Sequence, residues 1–277
     1  MKKKVWLKQI GKCIAAGIAL LYITPVLYTV MQSFMELQQL RTPGVELIPR
    51  NFNLNQYYVL TFFKSEYFLL FLNSVKISTA VIAGQLLVGV IAAFVFAKLT
   101  FPGQRFLFSL YILVALLPFQ VTLVPNVLLF NAAQMQLNLQ LLDTHWAIIL
   151  PGIFSTFGIF LLRQFIVGIP TEYIEAARVD GASHLRIFFT IVLPLIKPAV
   201  FTLVMLTFID QWNVVEQAFL FLESPEKFPL SIFLEDIFVE DFPVFYAAAV
   251  LYLAPAVMLF FKGEKYLSEG LGTGGLK

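Results

Sequence analysis

Six long apolar stretches, separated by polar segments, organise the hydrophobic pattern of this chain. About 20 consecutive apolar residues are needed to cross the hydrocarbon core of a bilayer as an α-helix. Each stretch approaches or exceeds that length, and none shows the strict alternation of a membrane β-strand. The pattern therefore predicts an all-α integral membrane protein with six transmembrane helices, at approximately Cys13–Met31, Phe68–Ala97, Phe106–Phe130, Trp146–Leu162, Ala199–Phe221 and Phe242–Phe261.

The composition indicates that lipid, rather than water, surrounds most of the chain. Of its 277 residues, 59% are hydrophobic and 13% are charged, whereas globular domains are roughly half apolar and about a quarter charged. A soluble domain of this length would need a charged surface that these few residues cannot supply. The formal net charge of +2 is nearly balanced and gives no sign of nucleic-acid binding. We therefore expect one transmembrane domain over residues 1–277, with an outer loop at about 36–66.

The N-terminus has five lysines followed by apolar residues, which is also the pattern of a secretory signal peptide. The charge-free run from Cys13 to Met35 is about 23 residues long, whereas the apolar core of a signal peptide has about 7–15. We therefore expect an uncleaved membrane helix. Cys13 is the only cysteine, so no internal disulfide can form, and a buried thiol is the expected state.

Lysine and arginine are distributed unevenly between the two predicted membrane sides. If the N-terminus is cytoplasmic, fourteen of the nineteen Lys and Arg residues lie inside and five lie outside. Cytoplasmic loops carry the excess of basic residues in membrane proteins, so both termini are predicted to be cytoplasmic. Lys76 lies near the outer end of the second span, where it either extends to the lipid headgroups or faces a transport path.

The longest predicted cytoplasmic link, between the fourth and fifth spans, contains a short charged helix. Pro170 and Thr171 form a plausible helix start, and Gly181 suits the C′ position because it tolerates positive φ. The predicted helix, Glu172–Asp180, would be marginal alone. Its charges keep it out of lipid, and its small alanines allow another surface to approach closely. We therefore interpret the segment 170–194 as a docking element for a soluble partner.

An elbow is predicted directly after this docking helix. A second helical stretch, His184–Ile191, is followed by Pro194 and Pro198, which are expected to bend the chain back toward the fifth span. Such an elbow would transmit a displacement of the docked helix to the membrane helices.

The same link carries a specific sequence motif. It reads Glu175-Ala-Ala-Arg-Val-Asp-Gly-Ala-Ser183, followed by Phe188, Ile191 and Leu193-Pro194. This segment resembles the EAA loop of permease subunits of ATP-binding-cassette (ABC) importers, which reads EAA, three residues, Gly, and about nine residues to I-x-L-P. Asp180-Gly181-Ala182 is similar to the carbohydrate-uptake branch, in particular to the smaller six-span permease of maltose-type systems. Further similarities from about Tyr22 onward are Asn73-Ser74, Leu162-Arg-Gln-Phe165, Gly168-Ile-Pro170, Trp212-Asn213 and the ending Gly270-Leu-Gly-Thr-Gly-Gly-Leu-Lys277.

The resemblance implies a type I ABC importer permease fold in the cytoplasmic membrane of a bacterium or archaeon. Two permease subunits, expected to be a heterodimer, would form the pore, and an extracytoplasmic solute-binding protein would deliver a sugar. Two cytoplasmic ATPase subunits would bind ATP and Mg²⁺, and their closure would produce alternating access. The resemblance places ATPase coupling on six residues of the EAA loop: Glu175, Ala176, Ala177, Asp180, Gly181 and Ala182.

The chain shows no residues for ATP hydrolysis or other catalysis. It lacks a Gly-x-x-x-x-Gly-Lys-Ser/Thr loop for phosphates, and Gly272-Thr-Gly-Gly275 has neither the lysine nor a preceding strand. The two histidines, His145 and His184, are far apart without cysteine partners, so neither a metal site nor a Ser-His-Asp set is predicted. We therefore predict a transport subunit with no cofactor of its own. A membrane-embedded enzyme would need a cluster of polar groups within its spans.

Polar residues in the predicted fifth span form a candidate substrate pathway. Asp210, Asn213 and Gln217 share one helix face by their spacing, which could accept sugar hydroxyls or bond across the subunit interface. Glu216 would point elsewhere, since it lies six residues from Asp210 at 100° per residue. Trp212 could stack on a sugar ring or pack at the interface. The residues Val214-Val-Glu216 depart from the acidic-aromatic pair usual in the family, which leaves substrate contacts there open.

The predicted function is therefore translocation of a sugar or oligosaccharide by an ABC permease. The alternative is an ABC permease for a non-sugar solute, such as a phosphodiester or a peptide, because only the resemblance of Asp180-Gly181-Ala182 argues against it. The acidic outer link from Glu223 to Asp241 either contacts the binding protein or is a solvated surface.

Overall fold

Helices are the only regular secondary structure in the described part of the chain. The computed structural model describes the backbone of residues 2–42, 44 and 46–273, and the side chains of residues 9–42, 44 and 46–266. The sequence similarity at Gly270–Lys277 therefore ends outside the described residues. A π-helical turn lies at Phe188–Val192 and a 3₁₀ turn at Pro225–Lys227. The α-helices are α1 (Lys2–Gln32), α2 (Leu37–Arg41), α3 (Asn55–Phe62), α4 (Glu66–Lys98), α5 (Gln104–Ala115), α6 (Gln120–Leu137), α7 (Trp146–Ile153), α8 (Thr156–Val167), α9 (Thr171–Val179), α10 (His184–Ile187), α11 (Leu193–Leu195), α12 (Lys197–Trp212), α13 (Glu216–Phe221), α14 (Leu230–Glu240) and α15 (Phe242–Thr273).

Four stretches of helix are long and apolar enough to cross a bilayer on their own. They correspond to the first, second, fourth and sixth predicted spans, with ends shifted by a few residues. The fourth is made of α7 and α8 together. Their bounds are Gln9–Gln32, Glu66–Lys98, Trp146–Val167 and Phe242–Tyr266.

The third predicted span is a bent pair, and the fifth predicted span, Ala199–Phe221, is interrupted between α12 and α13, so the prediction of one continuous helix at each place is wrong. α5 and α6 meet at 102°. Pro118 lies in the break, where it lacks an N–H donor and disfavours helical geometry at Leu117. The second pair, His184–Leu195 with Lys197–Trp212, meets at 74°. Counting each pair as one span gives up to six spans, in agreement with the predicted number.

The chain folds as two compact units. One comprises Met1–Phe68 with Phe233–Pro255, and it contains the predicted outer loop. Side-chain hydrogen bonds order that loop: Gln39 Nε2 donates to the Ile48 carbonyl at 2.9 Å, and Gln39 Oε1 accepts from the Arg50 amide at 3.1 Å. Cys13, on α1, is exposed, which corrects the expectation of a buried thiol, because none of the side chains in the apolar window of α1 is buried within the chain.

The second unit comprises Leu69–Ile232 and the chain from Ala256. It has two buried apolar clusters. The inner cluster joins α4, α8, α12 and the segment from Ile169 to Ile196 through residues such as Phe94, Leu162 and Leu203. The other cluster joins α4, α6, α7 and α13. All residues of the candidate sites belong to this unit.

Candidate coupling segment and polar cavity

The predicted docking helix is present as α9, Thr171–Val179, one residue from the expected bounds at each end. Pro170 precedes it in extended geometry, with φ −55° and ψ 136°, as the prediction of a helix start requires. Glu172 lies in the first turn, where the positive end of the helix dipole favours a carboxylate. Ile174 is buried, so this helix of nine residues is held by packing rather than by its own propensity.

The end of α9 is a Schellman motif centred on Gly181. Gly181 adopts φ +77°, the left-handed conformation predicted for it. Its amide donates to the Arg178 carbonyl at 2.9 Å, and the Ala182 amide donates to the Ala177 carbonyl at 2.9 Å. These two bonds satisfy carbonyls that the end of a helix leaves without partners.

The predicted elbow follows immediately. The hydroxyl of Ser183 caps α10 by accepting from the Arg186 amide at 3.3 Å. The chain then continues through the π-helical turn into α11 and breaks at Ile196, where φ is −95° and ψ 11°. Pro198 lies in the first turn of α12, and the 74° bend lies between Leu195 and Lys197. The expected change of direction between Pro194 and Pro198 is confirmed.

The inner cluster packs the coupling segment, residues 170–194, against the membrane helices. Ile174, Ile187 and Phe188 are buried in it, and the ring of Phe188 packs against Phe94 of α4 with centroids 5.4 Å apart. Lys98 Nζ, at the end of α4, also donates to the Ile169 carbonyl at 2.6 Å. The close packing therefore connects α9 physically to α4, α8 and α12.

The exposed side of this segment is mixed in character. Of the predicted coupling residues, Glu175, Ala176, Asp180 and Gly181 are exposed, whereas Ala177 and Ala182 are half-buried against the inner cluster. A partner surface was expected to approach the backbone closely at both alanines of α9. Only Ala176 is exposed enough for that approach. Large apolar side chains that remain exposed beside them are Tyr173, Val179 and Leu185, with Val179 89% exposed.

A polar cavity of about 560 Å³ lies in the same unit. Four of the five residues predicted for a substrate pathway line it. The fifth, Trp212, does not: it is 1% exposed and stacks on Phe208 with ring centroids 5.0 Å apart. The lining residues are Gln85, Phe119, Thr122, Asn126, Pro151, Gly152, Ser155, Ile209, Asp210, Gln211, Asn213, Val214, Val215, Glu216 and Gln217.

A break in the fifth predicted helix brings these residues together. α12 ends at Trp212 and α13 begins at Glu216, so the face expected from helical spacing does not exist. The expectation that Glu216 points away from Asp210 is also wrong, because both line the cavity. The Val214 carbonyl, freed by the break, accepts a hydrogen bond from the Ser231 hydroxyl at 2.5 Å. Non-helical backbone within a membrane domain is tolerated where it lines a cavity or is bonded in this way.

Two glutamines of the cavity wall, Gln85 and Gln211, were not predicted from the sequence. Gln85 Nε2 donates to the Gly152 carbonyl at 2.8 Å, and Gln85 Oε1 accepts from the Thr207 hydroxyl at 2.7 Å. Gln211 is buried beside them, and its Oε1 has no hydrogen-bond donor. The available signal was Gln85, the one glutamine in an otherwise charge-free and largely apolar run from Ile77 to Ala97.

A second polar centre, which was not predicted from the sequence either, joins Asp143 to the start of the acidic outer link, Glu223–Asp241. Its carboxylate accepts from Lys227 Nζ at 2.6 Å, from the Ser224 hydroxyl at 2.6 Å, and from the amides of Ser224 and Glu223 at 2.9 and 3.0 Å. The hydrogen bond from Lys227, followed by those from Ser224 and Glu223, holds the pKa of Asp143 well below its usual range. Nearby, burial lowers the pKa of His145, whose Nε2 lies 2.9 Å from the Lys227 carbonyl.

The chain has membrane spans, a polar cavity at a helix break, and an exposed helix that packs against the membrane helices. Together these features are those of a membrane transport protein. A family model described as "Binding-protein-dependent transport system inner membrane component" matches residues 85–268, which include the cavity and the coupling segment. The chain belongs to this family, whose members are permease subunits of importers.

Known relatives agree with this assignment. The chain is 31% identical over 287 residues to the arabinooligosaccharides transport system permease protein AraQ of Halalkalibacterium halodurans, with 100% of both chains covered. It is 37% identical over 145 residues to the sn-glycerol-3-phosphate transport system permease protein UgpE of Yersinia pestis, covering 52% of this chain and 50% of that one. The fold matches a chain in the crystal structure of a bacterial ABC transporter involved in import of the acidic polysaccharide alginate, with a TM-score of 0.83, 22% identity, and 96% and 98% coverage.

Proposed function

We propose that this permease subunit translocates a sugar or oligosaccharide across the cytoplasmic membrane by alternating access, driven by partner ATPase subunits. The observation that carries the proposal is the construction of α9. The exposed side of α9 presents Glu175 and Ala176 to solvent. The opposite side packs through Ile174 against helices that form the cavity. A partner that moves α9 therefore moves the cavity walls.

The coupling face suits a soluble ATPase. Glu175 is exposed, and none of the ion pairs among the described residues includes it, so its charge is available to a basic group on a partner. The exposed apolar side chains of Tyr173, Val179 and Leu185 provide area for burial around it. Glu172, Arg178 and Asp180 are also exposed, so the face combines apolar area with charged groups that can pair across an interface. We assign docking to Glu175, Ala176 and Gly181, and an inner supporting role to Ala177 and Ala182.

The remaining parts of the assembly follow from the family. We propose a heterodimeric pore with a second permease, two ATPase subunits that bind ATP and Mg²⁺, and a solute-binding protein on the outer side. The basic-residue distribution puts both termini and α9 on the cytoplasmic side, where ATP is available.

A sugar is favoured as the solute for two reasons. The relative aligned over its whole length is named for arabinooligosaccharides, and the cavity wall offers carboxylates and amides, groups that bind hydroxyls. The second candidate is a phosphorylated solute, because UgpE, similar over about half of the chain, is named for sn-glycerol-3-phosphate.

Uptake into proteoliposomes tests the proposal. The chain is reconstituted with its partner permease and ATPases, and uptake of arabinotriose and of sn-glycerol-3-phosphate is measured with the cognate binding protein and ATP. We expect ATP-dependent uptake of the sugar. Glu175→Arg is expected to abolish uptake while membrane insertion is retained. Glu264→Arg is the matched control, because Glu264 is an exposed acidic residue of α15 outside the coupling segment. Undiminished uptake by the Glu175 variant would refute the docking role.

A further inference from the structure

We propose that the polar cavity selects hydroxyl-rich solutes that carry no negative charge, and that Asp210, Gln211 and Glu216 are its specificity-determining residues. The inference rests on the proposed function, because it assumes that the solute passes through this cavity. It concerns the charge of the solute, which the family assignment leaves open.

The ionisable side chains that line the cavity are both acidic. Asp210 and Glu216 both face the cavity, and no Lys, Arg or His is among the described residues that line it. None of the ion pairs among the described residues includes either carboxylate. Two uncompensated negative charges in a site bordered by apolar helices create a negative potential that water screens only in part.

Two amide oxygens at the cavity lack hydrogen-bond donors. Gln211 is 8% exposed and lines the cavity, yet its Oε1 has no donor. Gln217, on the other side of the helix break, also has an Oε1 without a donor. A buried acceptor without a partner is costly, so a ligand donor that either oxygen reaches by a turn of its side chain is favoured. Gly152 lies close to Gln211 and has no side chain to supply one: a Cβ there would lie 3.6 Å from Gln211 Oε1.

Together these features match one class of solute. Each hydroxyl of a neutral sugar supplies one donor, which suits the two carboxylates and the two amide oxygens. A carboxylate or phosphate on the solute supplies acceptors only and meets two like charges. The cavity therefore differs in chemistry from what an acidic polysaccharide or a sugar phosphate needs, although proteins named for such solutes share the fold or part of the sequence.

The potential in the cavity can be measured directly with charged thiol reagents. Cys13 is the only cysteine of this chain, so Cys13→Ser gives a chain without thiols, which is assembled with partner subunits whose cysteines are also replaced. Asn126→Cys, or Thr122→Cys at a second lining position, is then labelled in the assembled transporter. The probes are the cationic trimethylammonioethyl methanethiosulfonate and the anionic sulfonatoethyl methanethiosulfonate, with rates normalised to those of a free thiol.

We expect the cation to react at least about tenfold faster than the anion after normalisation. The isosteric double variant Asp210→Asn with Glu216→Gln should bring that ratio close to one. Glu223→Gln, which removes a carboxylate outside the cavity, should leave the ratio unchanged. A ratio near one without the double substitution, or a ratio that the double substitution does not lower, would overturn the proposal.

Uptake of arabinotriose by the same preparations separates this proposal from the proposed function. A transporter that moves arabinotriose but shows a reagent ratio near one refutes the charge selectivity and leaves the function intact. A transporter that shows the expected ratio but moves no sugar, with any binding protein, refutes the sugar assignment instead.

Discussion

The amide of Ala182 donates to the carbonyl of Ala177 at 2.9 Å, across the left-handed Gly181. This single bond joins the end of α9 to the start of the elbow that leads to α12. Because Ala177 and Ala182 both pack against the inner cluster, the turn between them has little freedom to absorb a push on the helix. If a partner docks on α9, as proposed, we expect α9 and the membrane helices packed against it to move together.

Gly181→Ala is expected to weaken this turn and reduce uptake. At φ +77° a Cβ is disfavoured by about 1–2 kcal/mol, although no neighbouring atom lies within 4 Å of its ideal position. Gly103→Ala is a matched control, because Gly103 has φ +80° and equally open surroundings outside the coupling segment. We expect ATP-driven uptake to fall severalfold in the Gly181 variant and to change little in the Gly103 variant. Equal loss in both would show that backbone strain, not coupling, is responsible.

The contact between α4 and α7 at Gly84 should be sensitive to a single added methyl group. A Cβ on Gly84 would lie within 2.4 Å of the Ile153 side chain, whereas the nearest atom to a Cβ on Gly89 of the same helix is 3.8 Å away. Gly84→Ala is therefore expected to destabilise the protein by about 1–3 kcal/mol through overpacking. Gly89→Ala should be neutral or stabilising, because alanine favours helix more than glycine.

Thermal unfolding of the detergent-solubilised protein measures this difference. Adding Ile153→Ala to Gly84→Ala removes the colliding atoms and should restore much of the loss, as expected for residues in direct contact. If the two glycine variants unfold at the same temperature, the close approach of these helices is refuted.

The hydrogen bonds to Asp143 should make the stability of the acidic outer link at Glu223 and Ser224 dependent on pH. The native pKa of Asp143 lies below that of an unfolded aspartate, mainly because of the hydrogen bond from Lys227. The stabilisation is therefore fully present above the ordinary aspartate pKa of about 3.9 and is lost as the pH falls toward the native value. Hydrogen exchange of the Glu223 and Ser224 amides, corrected for intrinsic rates, should be constant from about pH 8 to 5 and accelerate below about pH 4.

The Asp143→Asn variant should show fast exchange at these two amides already at neutral pH, because it cannot form the charged bond to Lys227. Glu226→Gln provides the control, since it removes a carboxylate from the same link without touching the Asp143 centre. A pH profile that is unchanged in the Asp143 variant would contradict the assigned role.

Local chemistry predicted the coupling segment well. The start of α9 at Pro170, the positive φ of Gly181 and the bend between Pro194 and Pro198 each follow from a property of one residue. Long apolar runs likewise predicted the four spans that are not bent pairs, because only a helix satisfies its own backbone in lipid.

Hydropathy could not predict where an apolar run changes direction. The run from Phe106 to Phe130 is apolar on both sides of the break at Pro118, so its composition hides a bend of 102°. In the same way, the break after Trp212 is accompanied by a hydrogen bond from the Ser231 hydroxyl to the Val214 carbonyl, and a partner 17 residues away is not visible in the local sequence. The cavity forms at that break, so Asp210, Asn213 and Gln217 line it although the helix face that their spacing predicted does not exist.

The central claim, that α9 contacts the ATPase partner, is tested most directly by cross-linking from Ala176. Ala176→Cys in the Cys13→Ser background is labelled with benzophenone maleimide and irradiated in the assembled transporter. Val239→Cys on α14, 84% exposed, is the control on the predicted outer side. We predict a covalent adduct with the ATPase subunit from position 176 and none from position 239. No adduct from position 176, or an equal adduct from position 239, would contradict the account.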